Sequence, residues 1–175
     1  TRSPNHTRCI SFNDNQKDGW AASRKILGIT NDGGKTWVQP KLPDGISDIG
    51  AVFLISPSSG YIFDCVLNKL FFTEDSAKTW ESIDLPKEAA SISTDASPMS
   101  VINADKNGRI VFITNKAAKA EYRISAFISS DKGKTWKEEI IEAGAGYIFL
   151  NKNTTLLTHL GLDGTTTLFK TKNGF

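Results

Sequence analysis

Three aspartates recur at one position of a repeated phrase, and they are the first residues to test for chemistry. The phrases are TNDGGKTW, TEDSAKTW and SSDKGKTW, at residues 30–37, 73–80 and 129–136, and their third residues are Asp32, Asp75 and Asp131. Loop carboxylates are common calcium ligands, but a calcium site takes roughly six to eight oxygens. Each phrase fixes a single carboxylate, so we expect no metal site in these loops.

Other groups that could perform chemistry stand alone in the sequence. His6 and His159 have no partner at metal-ligand spacing. No serine lies in a nucleophile-elbow pattern, and NDGGK lacks the spacing of a phosphate-binding loop. Cys9 and Cys65, the only cysteines, are predicted either to form one disulfide or to be two small buried hydrophobes. We therefore expect no catalytic residue, no cofactor and no bound metal.

The elements around each phrase are strands. An apolar segment precedes each phrase (KILGIT, KLFFT, ISAFIS) and another follows it (TWVQPKL, TWESIDL, TWKEEII). Two further strands lie upstream of each hairpin: one opened by glycine (GWAAS, GYIFDC, GRIVFIT) and, before it, CISF, GAVFLIS or MSVINA. A last unit offers GYIFLN, TTLLTHL and TTTLFKT, and PKEAAS is the only segment suited to a single helical turn. The chain thus repeats a four-stranded unit in which the phrase is a hairpin turn.

The phrase has the chemistry of such a turn. Its aspartate can accept hydrogen bonds from the backbone of its own loop, and its fifth-position glycine can take positive φ. Ala77 replaces that glycine in the second copy. We expect Ala77 either to occupy the left-handed region at a cost of about 1 kcal/mol or to mark a shifted loop. Tryptophan at the eighth position is expected to bury its ring between neighbouring sheets.

Four antiparallel strands per unit of ~40 to 50 residues are typical of β-propeller blades. The phrase resembles the Asp-box, or bacterial neuraminidase repeat, Ser/Thr-x-Asp-x-Gly-x-Thr-Trp, and we refer to its copies as box loops. The pattern GWAAS…KILGITNDGGKTW is most similar to the photosystem II assembly-factor propellers and their bacterial relatives. The resemblance implies an all-β domain over residues 1–175, or part of one, with about four blades near residues 8–43, 48–86, 98–142 and 146–175, the last incomplete. It also implies a scaffolding role for the box residues Asp32, Trp37, Asp75, Trp80, Asp131 and Trp136.

The number of blades leaves two alternatives. Propellers of these families usually have more blades, so we favour part of a longer propeller. A closed four-bladed ring, in which the N-terminal segment TRSPNHT completes the last blade, is the alternative. An open arc would expose blade faces and edges that further chain or another subunit should cover.

An enzymatic alternative rests on another Asp-box family, the sialidases. YRIS, at residues 122–125, resembles the sialidase Phe/Tyr-Arg-Ile-Pro motif, but it lacks the proline and feeds directly into the third box loop. We interpret Arg123 as non-catalytic. Glu121 and Tyr122 are neighbours on a strand and should point to opposite faces, so they would not converge on one sugar. A sialidase-like or carbohydrate-binding propeller remains the second hypothesis.

Charge and hydropathy indicate which classes of partner and which cellular location to expect. The net charge of +2 comes from lysines scattered among carboxylates, which disfavours nucleic acid. No apolar run reaches the ~20 residues of a membrane span, and the first residues do not form a signal peptide. We expect a periplasmic or extracellular protein whose signal has been removed.

The remaining candidates for function are loops. In propellers the loops between the second and third strands, and between blades, usually open on one face. Here they include LNK with Asn68 and Lys69, the inter-blade segment with Lys41 and Asp44, and the longest loop, NKAAKAEY, with Lys116, Lys119, Glu121 and Tyr122. The last is a candidate contact surface, with an ordinary solvated loop as the alternative. We expect a non-catalytic protein-interaction module, with an assembly factor, a receptor-like module and a toxin-neutralising immunity protein left unseparated.

Overall fold

The computed structural model describes residues 7–89, 100–118, 121–141, 147–151, 154–160 and 166–170, with side chains at residues 7–89, 100–114 and 125–140. The chain divides into two compact units, Thr1–Ala90 and Ser91–Phe175. Nearly every regular element is a β-strand, which confirms the predicted all-β propeller class. One turn of 3-10 helix, Lys87–Ala89, forms where PKEAAS predicted a single helical turn.

The first unit contains two antiparallel sheets. The first sheet has the order β1-β2-β3, with strands Cys9–Phe12, Gly19–Ser23 and Ile26–Thr30. The second has the order β4-β5-β6-β7, with strands Ile49–Ser56, Ser59–Asp64, Lys69–Thr73 and Glu81–Asp84. Strand β2 is buried at all five positions because neighbouring chain covers both of its faces.

The prediction that TWVQPKL forms the outer strand of the first blade is wrong. Only one residue of it pairs with the sheet, through an isolated bridge between Ile29 and Val38. Two residues later the ladder would reach Pro40, which has no backbone N–H to donate. The first sheet therefore has three strands and a single bridge instead of four strands.

The second unit also contains two antiparallel sheets. One has the order β11-β10-β9-β8, with strands Ser100–Ala104 (β8), Ile110–Ala118 (β9), Glu121–Ser129 (β10) and Lys137–Ile141 (β11). The other comprises β12 to β14, Tyr147–Asn151, Thr154–Leu160 and Thr166–Lys170, at the segments GYIFLN, TTLLTHL and TTTLFKT. The expectation that residues 115–122 form a loop is wrong, since all but residues 119–120, which lie outside the described residues, belong to β9 and β10.

The core of the first unit lies between its two sheets. Trp20 of β2 and Ile62 of β5 are fully buried there. Trp80 packs edge-on against Trp20, with ring centroids 6.0 Å apart. Trp80 is half-buried against the core of the first unit. Ser11 of β1 adds a polar link, because its hydroxyl accepts a hydrogen bond from the backbone N–H of Leu54.

Candidate functional site

The three box loops carry the same hydrogen bonds. In the first copy the Asp32 carboxylate accepts from the Thr30 hydroxyl (2.8 Å), the Thr36 backbone N–H (2.9 Å) and the Thr36 hydroxyl (2.6 Å). The bonds around Asp75 and Asp131 have the same three lengths. Each carboxylate is therefore occupied by donors of its own loop.

Those donors favour the ionised carboxylate. The hydroxyl and backbone N–H of Thr36 hold the pKa of Asp32 down, from 3.8 to about 2. Thr135 acts in the same way on Asp131, whose pKa is also lowered to about 2, and Thr79 lowers the pKa of Asp75. A carboxyl group that stays ionised at neutral pH is a poor general acid. The box geometry thus agrees with a structural role.

Both central residues of every box loop are left-handed. The fourth and fifth residues have φ of 75° and 86° in the first copy, 61° and 64° in the second, and 62° and 84° in the third. Ala77 is the residue at 64°, so the left-handed alternative holds. It keeps the loop's hydrogen bond, from its backbone N–H to the Thr73 hydroxyl at 3.1 Å. The sequence pattern did not predict the left-handed conformation of the fourth residue, because glycine occupies that position only in the first copy.

The fourth residue joins each box loop to the turn between the first two strands of its sheet. The backbone N–H groups of Gly33, Ser76 and Lys132 donate to the carbonyls of Lys17, Ser58 and Gly108, at 2.9, 2.8 and 3.0 Å. These bonds fix one end of each of the three sheets that have a box loop. The opposite end is left for contacts that differ from sheet to sheet.

At that opposite end of the first unit, three segments form one surface, which we call the turn face: residues 24–26, 41–49 and 65–69. The N–H of Ile49 donates to the carbonyl of Arg24 at 2.7 Å, and the N–H of Cys65 donates to the carbonyl of Asp48 at 2.9 Å. The inter-blade segment is therefore hydrogen-bonded to the β2–β3 turn on one side and to the β5–β6 turn on the other. The turn face is continuous across both sheets.

Asp64, at the end of β5, organises the turn face. Its side chain is fully buried. One carboxylate oxygen accepts from the N–H groups of Val66 and Leu67, both at 2.9 Å. The other accepts from those of Ser47 at 2.6 Å and Asp48 at 3.3 Å. One buried charge thus holds two loops that are distant in sequence, which is how a buried carboxylate is normally stabilised.

The turn that Asp64 holds presents apolar side chains to solvent. Val66 is 67% exposed and Leu67 is 40% exposed. Ile26, at the start of β3, is 40% exposed. An exposed apolar group on a fixed backbone loses little conformational freedom when it is covered, which favours binding. The turn face is therefore the candidate site in the first unit.

The residues of the turn face named from the sequence lie there and are exposed or half-buried. Lys41 pairs with Asp44 at 3.5 Å, and Lys69 pairs with Asp84 at 2.9 Å. Asn68 has a φ of 52°, and its amide donates to the carbonyl of Pro86 at 3.4 Å.

Other charges lie at the same end of the unit. Arg8 reaches both oxygens of Asp48, at 3.0 and 2.9 Å. Arg24 and Lys25 are exposed and pair with no carboxylate among the described side chains. The turn face therefore carries basic side chains beside its apolar ones.

Neither cysteine supplies a reactive group or a disulfide. Both thiols are free. Burial raises the pKa of Cys9 to about 12 and raises that of Cys65. The Cys65 thiol donates to the carbonyl of Asp48 at 3.3 Å. Of the two alternatives for the pair, the structure has two half-buried thiols, protonated at neutral pH.

In the second unit, Lys116, Glu121 and Tyr122 are strand residues of the β9–β10 hairpin, while Lys119 lies outside the described residues. Arg123 is paired with Lys116 in the same hairpin. His159 is a residue of β13, as expected of a strand residue. His6 and the other residues proposed to complete a ring, residues 1–6, lie outside the described part of the chain.

Sequence reasoning missed Asp64 and Val66, and it included Leu67 only as part of the loop LNK. The signal for Asp64 was an acidic residue at the end of the apolar run GYIFDC, where burial is expected at every position. Its four donors lie up to 17 residues away and cannot be read from that run.

Within the described residues, no three side chains of metal-binding type come together. The same part of the chain contains no helix with the length and apolarity that a membrane crossing requires.

The fold is that of a β-propeller, and sequence comparison gives the family. The profile of Sortilin-Vps10, described as "Sortilin, neurotensin receptor 3", matches residues 25–169. The chain belongs to this family. No curated protein sequence matches it.

Solved structures share the fold at low identity. A structure of YCF48 bound to a D1 peptide is 22% identical, with a TM-score of 0.61, and the match covers 97% of this chain and 56% of that one. For YCF48 from Cyanidioschyzon merolae the identity is 14% and the TM-score 0.53, covering 100% and 60%. Virginiamycin B lyase from Staphylococcus aureus is 13% identical, with a TM-score of 0.51, and the match covers 93% of this chain and 69% of that one. This chain therefore spans less than two thirds of either YCF48 structure.

Proposed function

We propose that this protein is a non-catalytic interaction module that binds a polypeptide partner through the turn face of its first unit. The observation that carries the proposal is the buried carboxylate of Asp64, which fixes the turn that exposes Val66 and Leu67. A buried charge is costly unless it is well hydrogen-bonded. Its use to hold two exposed apolar side chains in place favours a binding role for that turn.

The chemistry of the turn face indicates the chemistry of the partner. Val66, Leu67 and Ile26 offer apolar contacts, and the neighbouring Arg24 and Lys25 offer positive charge. Apolar contacts at the centre of an interface supply most of its affinity, while charges at the rim assist encounter. We expect a polypeptide segment that carries an apolar side chain beside carboxylates.

Two comparisons support the same class of function. YCF48, which shares the fold, has been solved with a bound peptide, and the matched family is described by the name of a receptor. Both favour recognition of another polypeptide, and the receptor favours a location outside the cytoplasm. Assembly factor, receptor-like module and immunity protein remain alternative uses of such recognition.

A matched pair of valines tests the proposal. Val66 on the turn face and Val38 on the outer edge of the first sheet are 67% and 69% exposed. A photo-cross-linking side chain at position 66, introduced in the native host, should capture the partner, and the same probe at position 38 should not. With the purified partner, Val66→Asp should weaken binding at least about tenfold, which is ~1.4 kcal/mol, and Val38→Asp should leave it within about twofold.

Equal capture at the two positions would contradict the proposed site. So would an unchanged Kd for Val66→Asp in a variant that unfolds at the wild-type temperature. Turnover of a glycoside by the purified protein would instead favour the carbohydrate-active hypothesis.

A further inference from the structure

The β2–β3 turn places an arginine where the backbone favours glycine. Arg24 and Lys25 are the two residues between the paired positions Ser23 and Ile26, and Arg24 has a φ of 49°. Two-residue hairpin turns need positive φ at their first central residue, where glycine, asparagine and aspartate dominate. A residue with a Cβ carries a steric cost there that glycine avoids. The turn itself therefore gives no reason for an arginine at position 24.

The other left-handed residues of the turn face have side chains suited to that conformation. Gly45 has a φ of 85°, and Asn68 has a φ of 52°. Glycine has no Cβ to clash, and asparagine is one of the residues enriched at positive φ. Arg24 is the exception on this surface, so its side chain calls for a cause outside the turn.

The backbone of Arg24 is fixed while its side chain is exposed. The Arg24 carbonyl accepts from the N–H of Ile49 at 2.7 Å, which ties the turn to the inter-blade segment. The flanking residues Ser23 and Ile26 are paired in the sheet. A side chain on a fixed backbone loses less conformational freedom on binding than one on a mobile loop. The fold thus presents the arginine to solvent from a constant position.

The charge of Arg24 is not balanced within the unit. Three ion pairs neutralise other basic groups at this end: Arg8–Asp48, Lys41–Asp44 and Lys69–Asp84. Asp48 directly precedes Ile49, which bonds to Arg24, but both of its carboxylate oxygens bind Arg8. Among the described side chains, Arg24 and Lys25 have no carboxylate partner. One corner of the turn face therefore carries unbalanced positive charge beside the exposed apolar groups.

We propose that Arg24 determines the specificity of the turn face, by binding a side-chain carboxylate of a partner whose apolar side chain packs on Val66 and Leu67. The inference rests on the proposed function, because it assigns a role to one residue of the same surface. A guanidinium group can form two parallel hydrogen bonds with a carboxylate, and such charge-assisted pairs select among partners. The backbone strain at Arg24 is then a cost of recognition that the free chain carries.

Two peptides of similar shape test the selection of charge. The probe is a short peptide of alternating leucine and glutamate, and its control has glutamine in place of each glutamate. By fluorescence anisotropy with the full chain, the glutamate peptide should bind at least about tenfold more tightly than the glutamine peptide. Adding salt should narrow that difference, because the contact is between exposed charges.

Opposite effects on stability and on binding distinguish recognition from a structural role. Arg24→Gly should raise the unfolding temperature by roughly 1–3 °C, because relief of left-handed strain exceeds the added freedom of glycine in the unfolded chain. The same variant should bind the glutamate peptide at least about tenfold more weakly. Gln16→Gly is the matched control, since Gln16 is exposed, has a φ of 56° and lies in the β1–β2 turn. It should raise the unfolding temperature similarly and leave the Kd within about twofold.

Each result either supports or overturns the role of Arg24. A lower unfolding temperature for Arg24→Gly would show that the arginine serves the fold, and the inference would be wrong. An unchanged Kd for that variant, or equal binding of the two peptides, would overturn it as well. If Arg24→Gly binds like the wild type while Val66→Asp still loses the native partner, the role of Arg24 is wrong and the proposed function stands. If Val66→Asp also keeps the native partner, both are wrong.

Discussion

Replacing Asp64 by asparagine removes one of the two carboxylate oxygens that bind the loops of the turn face. The substitution preserves shape but exchanges one carboxylate oxygen for an NH₂ group. One oxygen of Asp64 now serves Val66 and Leu67, and the other serves Ser47 and Asp48. The remaining amide oxygen can serve only one of these pairs, and the NH₂ group then faces the N–H donors of the other.

Two opposing contributions to the free energy set the size of the loss of stability. A hydrogen bond to a charged group contributes about 1.5–3 kcal/mol net, and two of four are lost. Part of that loss is offset because asparagine does not carry the desolvation cost of a buried carboxylate. We expect the turn face to lose about 3 kcal/mol of local stability.

Hydrogen exchange of backbone amides measures this loss where it occurs. At 1.36 kcal/mol per factor of ten, exchange at Val66, Leu67 or Ser47 should accelerate about 100-fold. Asp84→Asn is the matched control, because Asp84 is 81% exposed and makes one ion pair with Lys69. The control should change stability by less than about 0.5 kcal/mol. If the two variants exchange alike, Asp64 does not organise the turn face.

Two further predictions concern the elements that support the site. Because the pKa of Asp32 is lower in the folded chain, its ionisation stabilises the fold above its ordinary value of 3.8, and this contribution is lost as pH falls toward about 2. Thr36→Val removes the hydroxyl donor, so a carboxyl NMR titration should show the pKa of Asp32 rising toward 3.8, and an unchanged midpoint would refute the hydrogen-bond explanation. Gly60→Ala would place its Cβ 2.8 Å from the Trp20 ring and closer still to backbone, so it should cost more than about 2 kcal/mol in urea unfolding. Gly45→Ala, with φ of 85° and no atom within 4 Å, should cost about 1 kcal/mol, and equal costs would mean that crowding at Gly60 is relieved.

The blade pattern could be predicted because its signals are local. The first, third and seventh residues of a box loop bond to one another, so the geometry is encoded within eight residues. The left-handed conformation of Ala77 was one of the two alternatives that the same spacing left open. Strand positions followed from apolar runs bounded by turn residues.

The two wrong predictions, for TWVQPKL and NKAAKAEY, have causes that lie outside the local sequence pattern or compete with it. TWVQPKL reads as a strand, yet Pro40 removes the donor that a ladder would need at the next pair. NKAAKAEY reads as a loop because lysine, alanine, asparagine and glutamate are uncommon in strands. Residues 115–118 and 121–122 of this segment nevertheless extend a ladder that begins in the apolar part of the hairpin, where Phe112 pairs with Phe127. Pairing of that kind overrides local preference.

The repeated and unrepeated parts of the blades separate structure from function. A requirement of the fold acts on every copy, and the box loops meet it with the same bonds in all three. The β2–β3 turn and its two counterparts, at the other end of the sheets, have no common form: two residues, four residues anchored by Asp64, and a hairpin whose strand pairing continues to Ala118 and Glu121. Since the fold accepts any of these, their differences need another cause. The proposed recognition of a partner would supply one for the second sheet, because the buried carboxylate of Asp64 costs stability unless it holds something specific.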